Sequence, residues 1–156
     1  MATKITTLLQ EFGARLGLGS ELDLAKEGTI RLNLERDFGI DFEEDAERNT
    51  LWMYIDLEPG VDVAQSGHLP ELLKIMFRYH RNCDARLIID PQGYPLLLAS
   101  GFVVPAIDMH LNLLDLLEEH IKTFIGIAEA LRAFLHQTPT DTKAAAVNIS
   151  PLQKLA

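Results

Sequence analysis

Between Thr6 and Leu18 the chain reads TTLLQEFGARLGL, and Ile5, Leu8, Leu9, Phe12 and Leu16 recur at the i, i+3, i+4, i+7 spacing of a helix that buries one face. Gly17 and Gly19 follow, and glycine accepts the left-handed backbone of a helix C-cap. The period then changes from 3.6 to 2. Ile30, Leu32 and Leu34, then Phe38, Ile40 and Phe42, then Leu51, Met53, Ile55 and Leu57 alternate with mostly polar neighbours, which predicts three short strands. Their connections, ERD and EEDAERN, are short and polar, as an antiparallel meander requires. The acidic run DFEEDAE, Asp41 to Glu47, reads as a solvated hairpin tip, because it lacks the glycine and ligand spacing of a calcium loop. EPG at Glu58 to Gly60 stops the third strand.

A second helix is predicted from Leu69 to Arg81, with Pro70 at its first position, where a missing amide hydrogen costs nothing. A hairpin follows, ARLIID and YPLLLAS around the turn residues DPQG. A third helix is predicted from an Asp108 N-cap to His136. Its apolar stripe is Leu113, Leu117, Ile121, Phe124, Ala128, Leu131 and Leu135, and Glu118 and Lys122 form a supporting i, i+4 pair. Residues 137–156 lose the period and read as a weakly ordered tail, which leaves one α+β domain over 1–136. Its order is α-β-β-β-α-β-β-α, with an antiparallel twisted sheet packed on helices.

Composition narrows the function. A chain of 156 residues that is 47% hydrophobic can build one core, and 14 Lys+Arg against 23 Asp+Glu give a net charge of -9. Phosphate backbones and anionic membrane surfaces repel such a chain, so neither a nucleic-acid partner nor membrane insertion is expected. The single cysteine, Cys83, forms no internal disulfide, and MATKITTLL lacks the pattern of a secretory leader, so a cytoplasmic protein is expected. No apolar run approaches the roughly 20 residues of a membrane span.

Catalytic chemistry is hard to find. GLGSEL has two glycines of a dinucleotide fingerprint but follows a helix where that motif follows a strand. His80, Cys83 and Asp84 cluster near a helix end, short of the ligand set that zinc needs. His110 and His120 lie ten residues apart on the third helix, on different faces. No enzyme activity, metal or cofactor is expected.

The second helix spreads its apolar residues widely. Leu72, Leu73, Ile75, Met76, Phe77 and Tyr79 cover an arc of about 200°, and Glu71, Lys74, Arg78 and Arg81 fill the rest. Either the helix is sandwiched between the sheet and the third helix, or it meets its own twofold copy.

The order of elements resembles the class I type III secretion chaperones, the family that includes the Tir chaperone. LLQEFGARLGL at Leu8 to Leu18 is similar to the family's opening helix, and LPELLKIMFRYH at Leu69 to His80 to its dimer helix. LIIDPQGYPLLL at Leu87 to Leu98 resembles the family's hairpin, and LEEHIKTFIGIAEALRAFL its closing helix. The resemblance covers residues 4–136. It implies a homodimer, joined through Leu72, Leu73, Ile75, Met76, Phe77 and Tyr79, that holds the partly unfolded N-terminal region of one or more secreted effectors in the bacterial cytoplasm. The export ATPase is a further candidate partner. A small α+β interaction or regulatory module that binds a folded partner is the alternative reading.

A chaperone of this kind must offer apolar surface and strand edges to a disordered client. Helix one has more apolar surface than one sheet contact requires, and Trp52 and Tyr54 hold the strand phase opposite to Leu51, Met53 and Ile55. The expected client contacts are Leu9, Phe12, Leu16, Trp52 and Tyr54.

Overall fold

The computed structural model describes residues 3–18, 22, 24, 28–35, 38–57, 67–79, 81, 83–89, 96–106 and 112–137. Helix α1, Lys4–Arg15, is capped by Thr3, whose side chain accepts from the Thr6 amide at 3.0 Å. It ends as its glycine predicts: Gly17 has φ +77°, and the Leu18 amide donates to the Gly13 carbonyl at 2.9 Å. Three strands follow, β1 Thr29–Glu35, β2 Phe38–Asp45 and β3 Thr50–Asp56. Then come helix α2, Leu69–Tyr79, strands β4 Ala85–Ile89 and β5 Leu96–Val103, and helix α3, Leu113–Leu135.

Three boundaries differ from the pattern-based expectation. Asp41 to Asp45 belong to β2, so only Ala46 to Asn49 form the tip, with Asn49 at φ +49°, where asparagine is tolerated. A strand whose outer face meets water tolerates a carboxylate at every second position, which hid it inside an acidic run. Helix α3 begins later than expected, capped by Asn112, which accepts from the Asp115 amide at 3.3 Å. Helix α2 ends at Tyr79 rather than Arg81. The expected cap Asp108, the DPQG turn, Gly19, the EPG stop and the tail beyond Gln137 lie outside the described residues.

All five strands join one antiparallel sheet in the order β1-β2-β3-β5-β4. The second hairpin docks through β5, which pairs with β3 from Thr50↔Val103 to Asp56↔Leu97. One face of the sheet, including Ile40, Phe42, Leu51, Met53, Ile55 and Leu98, is buried in the same core as Ile5, Leu8, Leu9 and Phe12 of α1. Leu72 and Ile75 of α2 and the α3 stripe from Leu117 to Leu135 complete that core. Helix α3 contacts α1, α2 and β5, so it ties the layer of helices together. Each large side chain buried here contributes about 1.5–3 kcal/mol, so this single core carries the fold.

Candidate partner-binding surfaces

Strand alternation and register fix what lies on the sheet face away from the core. On β3 these residues are Trp52 and Tyr54, and directly opposite them on β5 stand Gly101 and Ala99. On the other side, on β2, Glu43 is opposite Trp52 and Asp41 is opposite Tyr54. Asp45 pairs with Thr50, and Thr50 with Val103. Leu97 pairs with Ile88 of β4. The outer face is therefore striped along the strands: carboxylates on β2, aromatic rings on β3, small or aliphatic residues on β5, and on β4 Ile88 beside Arg86, which stands opposite Ala99.

The aromatic stripe is held flat. A Cβ on Gly101 would lie 3.3 Å from Cζ3 of Trp52 and 3.0 Å from Cγ2 of Thr50, so the indole lies across the space that glycine leaves open. Trp52 and Tyr54 stack with ring centroids 6.5 Å apart and planes 22° from parallel. Burial and then the charge of Glu43, which accepts a hydrogen bond from Tyr54, push the Tyr54 hydroxyl above its ordinary pKa. Asp41 pairs with Arg31 at 3.2 Å and Asp45 with Arg48 at 3.6 Å. Val103 is 65% exposed, and Ile88 is also exposed.

Helix α2 forms a second surface. Its wide apolar arc divides: Leu72 and Ile75 are buried in the chain's own core, whereas Leu73 is 52% and Phe77 71% exposed. Met76 and Tyr79 are half-buried against the core. The chain's own core thus covers one part of the arc and leaves the other part exposed.

Two expected client contacts are core residues. Leu9 is fully buried and Phe12 is 3% exposed, because the sheet, α3 and Leu22 cover the whole inner side of α1. Leu16, at the end of the same stripe, is 50% exposed where the helix stops. The sequence reading missed Ile88, Leu97 and Val103. Their signal was the continuous apolar runs LII, LLLA and FVV, at Leu87 to Ile89, Leu96 to Ala99 and Phe102 to Val104, which have no polar phase for an outer face.

The residues singled out for chemistry form a structural network. Ser100, fully buried on the inner face, sits 2.9 Å from Nε2 of His120 and 3.3 Å from Sγ of Cys83, and its hydroxyl donates to the Asp84 carbonyl at 3.3 Å. Phe102 meets His120 edge-on at 5.5 Å. Burial holds His120 below its ordinary pKa, against the charge of Asp84, and pushes the Cys83 thiol up, against its Ser100 hydrogen bond. A neutral thiol beside a neutral imidazole is a poor nucleophile. His80 and His110 lie outside the described residues, among which no three His, Cys, Asp or Glu side chains could hold a metal ion.

The end of α1 is fastened to the start of α3. Arg15 reaches Asp115 at 2.6 Å and Glu118 at 2.9 Å, and Lys122 meets Glu118 at 2.7 Å, as the i, i+4 spacing predicts. Lys122 first, then Arg15, holds the Glu118 carboxyl below its usual value. Among the described residues no helix is long and apolar enough to cross a membrane.

The Tir chaperone protein (CesT) family matches residues 7–132. No curated protein matches the chain. Among solved structures, a chain in the crystal structure of the ExsC-ExsE complex is 26% identical, with a TM-score of 0.65 over 85% of this chain and 94% of that one. The HopA1-SchA chaperone-effector complex matches at 18% identity and a TM-score of 0.62, over 83% of this chain and 93% of that one. The heterodimeric ExoU-SpcU complex from the type III secretion system of Pseudomonas aeruginosa matches at 17% identity and 0.59, over 80% and 95%. The last two likenesses concern the fold.

Proposed function

The chain belongs to the Tir chaperone protein (CesT) family, and we infer from that membership that it is a type III secretion chaperone, which binds an effector and keeps it competent for secretion. The match across residues 7–132 carries this reading. The family is one of chaperones and not of enzymes. Unfolded chain is held by apolar surface and strand addition, without chemistry, and ordering it costs several kcal/mol, so the contact must be large.

We assign the client contact to Trp52 and Tyr54 on the outer face of the sheet, with Leu16 at the end of α1. Trp52 and Tyr54 are half-buried on the face away from the core, beside the exposed Val103 and Ile88, and Leu16 is 50% exposed, which supports the assignment. The homodimer is assigned to Leu73 and Phe77 of α2, flanked by Met76 and Tyr79, on the exposure of the first two. Leu72 and Ile75 support that helix from inside. The chaperone body is placed at residues 1–136 and the tail at 137–156, with the tail as the candidate contact for an export ATPase. The bacterial cytoplasm is the compartment in which such a chaperone meets its client.

The test is affinity capture of the tagged chain from its host, followed by limited proteolysis of what stays bound. The expected result is a secreted protein protected only near its N-terminus. Capture of a folded cytoplasmic protein with no protected unfolded segment would favour a regulatory module instead.

A further inference from the structure

The outer face of the sheet has a chemical direction as well as apolar surface. Resting on the reading of that face as the client site, we propose that it selects client segments in which lysine or arginine lies close to aliphatic residues.

The stripes carry the argument. Asp41, Glu43 and Asp45 occupy successive outward positions of β2, so the stripe beside the aromatic rings consists entirely of carboxylates. On the other side of the rings, Leu97, Val103 and Ile88 supply apolar contact. Trp52, laid flat over Gly101 and stacked on Tyr54, gives a planar ring surface between the two. A cation is attracted to the face of an aromatic ring and to a carboxylate at once, and its alkyl stem covers the ring. A basic side chain therefore satisfies two neighbouring stripes together, and an aliphatic neighbour fills the third.

The arginines already on this face do not close it. Arg31, Arg48 and Arg86 of β4 pair with Asp41, Asp45 and Asp84 at 3.2 Å, 3.6 Å and 2.8 Å, with the arginine side chains 48%, 76% and 62% exposed, and such pairs exchange partners at little cost. Glu43 stands between Asp41 and Asp45, its carboxylate accepting from the Tyr54 hydroxyl. The net charge of -9 extends the attraction beyond contact distance. The same charges disfavour a second copy of the chain as the occupant, because a twofold contact would set this acidic stripe against its own copy.

Trp52 is the chain's only tryptophan, so its fluorescence reports on this face alone. The probes are two soluble unfolded peptides with the same leucines, one bearing lysines and the other glutamates at the remaining positions. The lysine peptide is expected to shift Trp52 emission saturably, and the glutamate peptide to leave it unchanged. Raising the ionic strength from about 0.05 to about 0.5 M weakens the lysine peptide, since charges beyond a shortened Debye length are screened. The double substitution Asp41→Asn with Glu43→Gln, its fold checked by circular dichroism, is expected to weaken that peptide about three- to tenfold.

Equal binding of both peptides would overturn the inference while leaving an apolar client site in place. A Trp52 signal that depends on protein concentration alone would put a second copy on this face and overturn it also. If a captured effector fragment binds fully to Trp52→Ala, the assignment of the client to this face fails, and the inference with it, while the chaperone function stands.

Discussion

At the scale of single residues, burial separates two positions on the same helical stripe that the sequence makes equivalent. Phe12 is 3% exposed and Leu16 is 50% exposed. Removing a buried phenylalanine side chain costs about 3–5 kcal/mol, and a carboxylate in its place adds the cost of an unpaired buried charge. Against a total stability of about 5–15 kcal/mol, Phe12→Asp is expected to unfold the chain, and Leu16→Asp to leave it folded. Urea denaturation followed by circular dichroism checks both; a native-like midpoint for Phe12→Asp would remove it from the core. The Ser100 network gives a second test. Burial places the folded-state pKa of His120 below that of the unfolded chain, so the unfolded state takes up the proton first as pH falls. The stability linked to this residue is therefore complete above the ordinary histidine value of about 6.5 and declines as pH drops from there toward the folded-state value. Melting temperatures measured from pH 7.5 down to pH 5.5, roughly the range in which histidine titrates, are expected to fall more steeply for the native chain than for His120→Gln. Parallel slopes would mean that His120 does not titrate with unfolding.

At the scale of elements, periodicity made the helices and strands legible, and it failed where two faces or two chains compete for the same residues. The 3.6-residue rhythm from Ile5 to Phe12 and the alternation at Phe42 and at Leu51 to Ile55 each mark a side chain that the structure buries. Strand β2 was cut short because Asp41, Glu43 and Asp45 face outward, and a row of carboxylates looks the same on a strand as in a loop. Strand β5 concealed its outer face for the opposite reason, since Leu97 is as apolar as Leu98. Its place between β3 and β4 was not legible either. Hairpin patterning sets which strands are neighbours in sequence, whereas the docking of one hairpin on another is decided by long-range packing of Leu98 and Ser100 against Ile55 and Met53. Most of all, the width of the α2 stripe did not tell whether one chain or two would cover it. That depends on the position of α3, which takes Leu72 and Ile75 and leaves Leu73 and Phe77.

At the scale of the whole molecule, the two exposed apolar surfaces have different charge surroundings, and this sorts their occupants. The outer face of the sheet has carboxylates beside its rings, so self-contact there sets like charges together. The exposed stripe of α2 is bordered by Lys74 and Arg78 as well as by Glu71, a mixture that a twofold copy can tolerate. Leu73 and Phe77 recur in both copies, giving four side chains worth together about 6–12 kcal/mol if fully buried, which is of the order of the association cost itself. A lasting dimer therefore needs Met76 and Tyr79 to add contact, and it should be sensitive to a single loss. Light scattering over a dilution series is expected to find Leu73→Ala dissociating at higher concentration than the native chain. Phe77→Asp with Leu73→Asp is expected to be a folded monomer, because neither side chain belongs to the core. Ile75→Asp is expected to unfold instead, so a monomer obtained from that substitution alone says nothing about the interface. A double variant that stays dimeric would move the twofold contact away from α2, and the acid-lined face of the sheet would then have to be tested as its replacement.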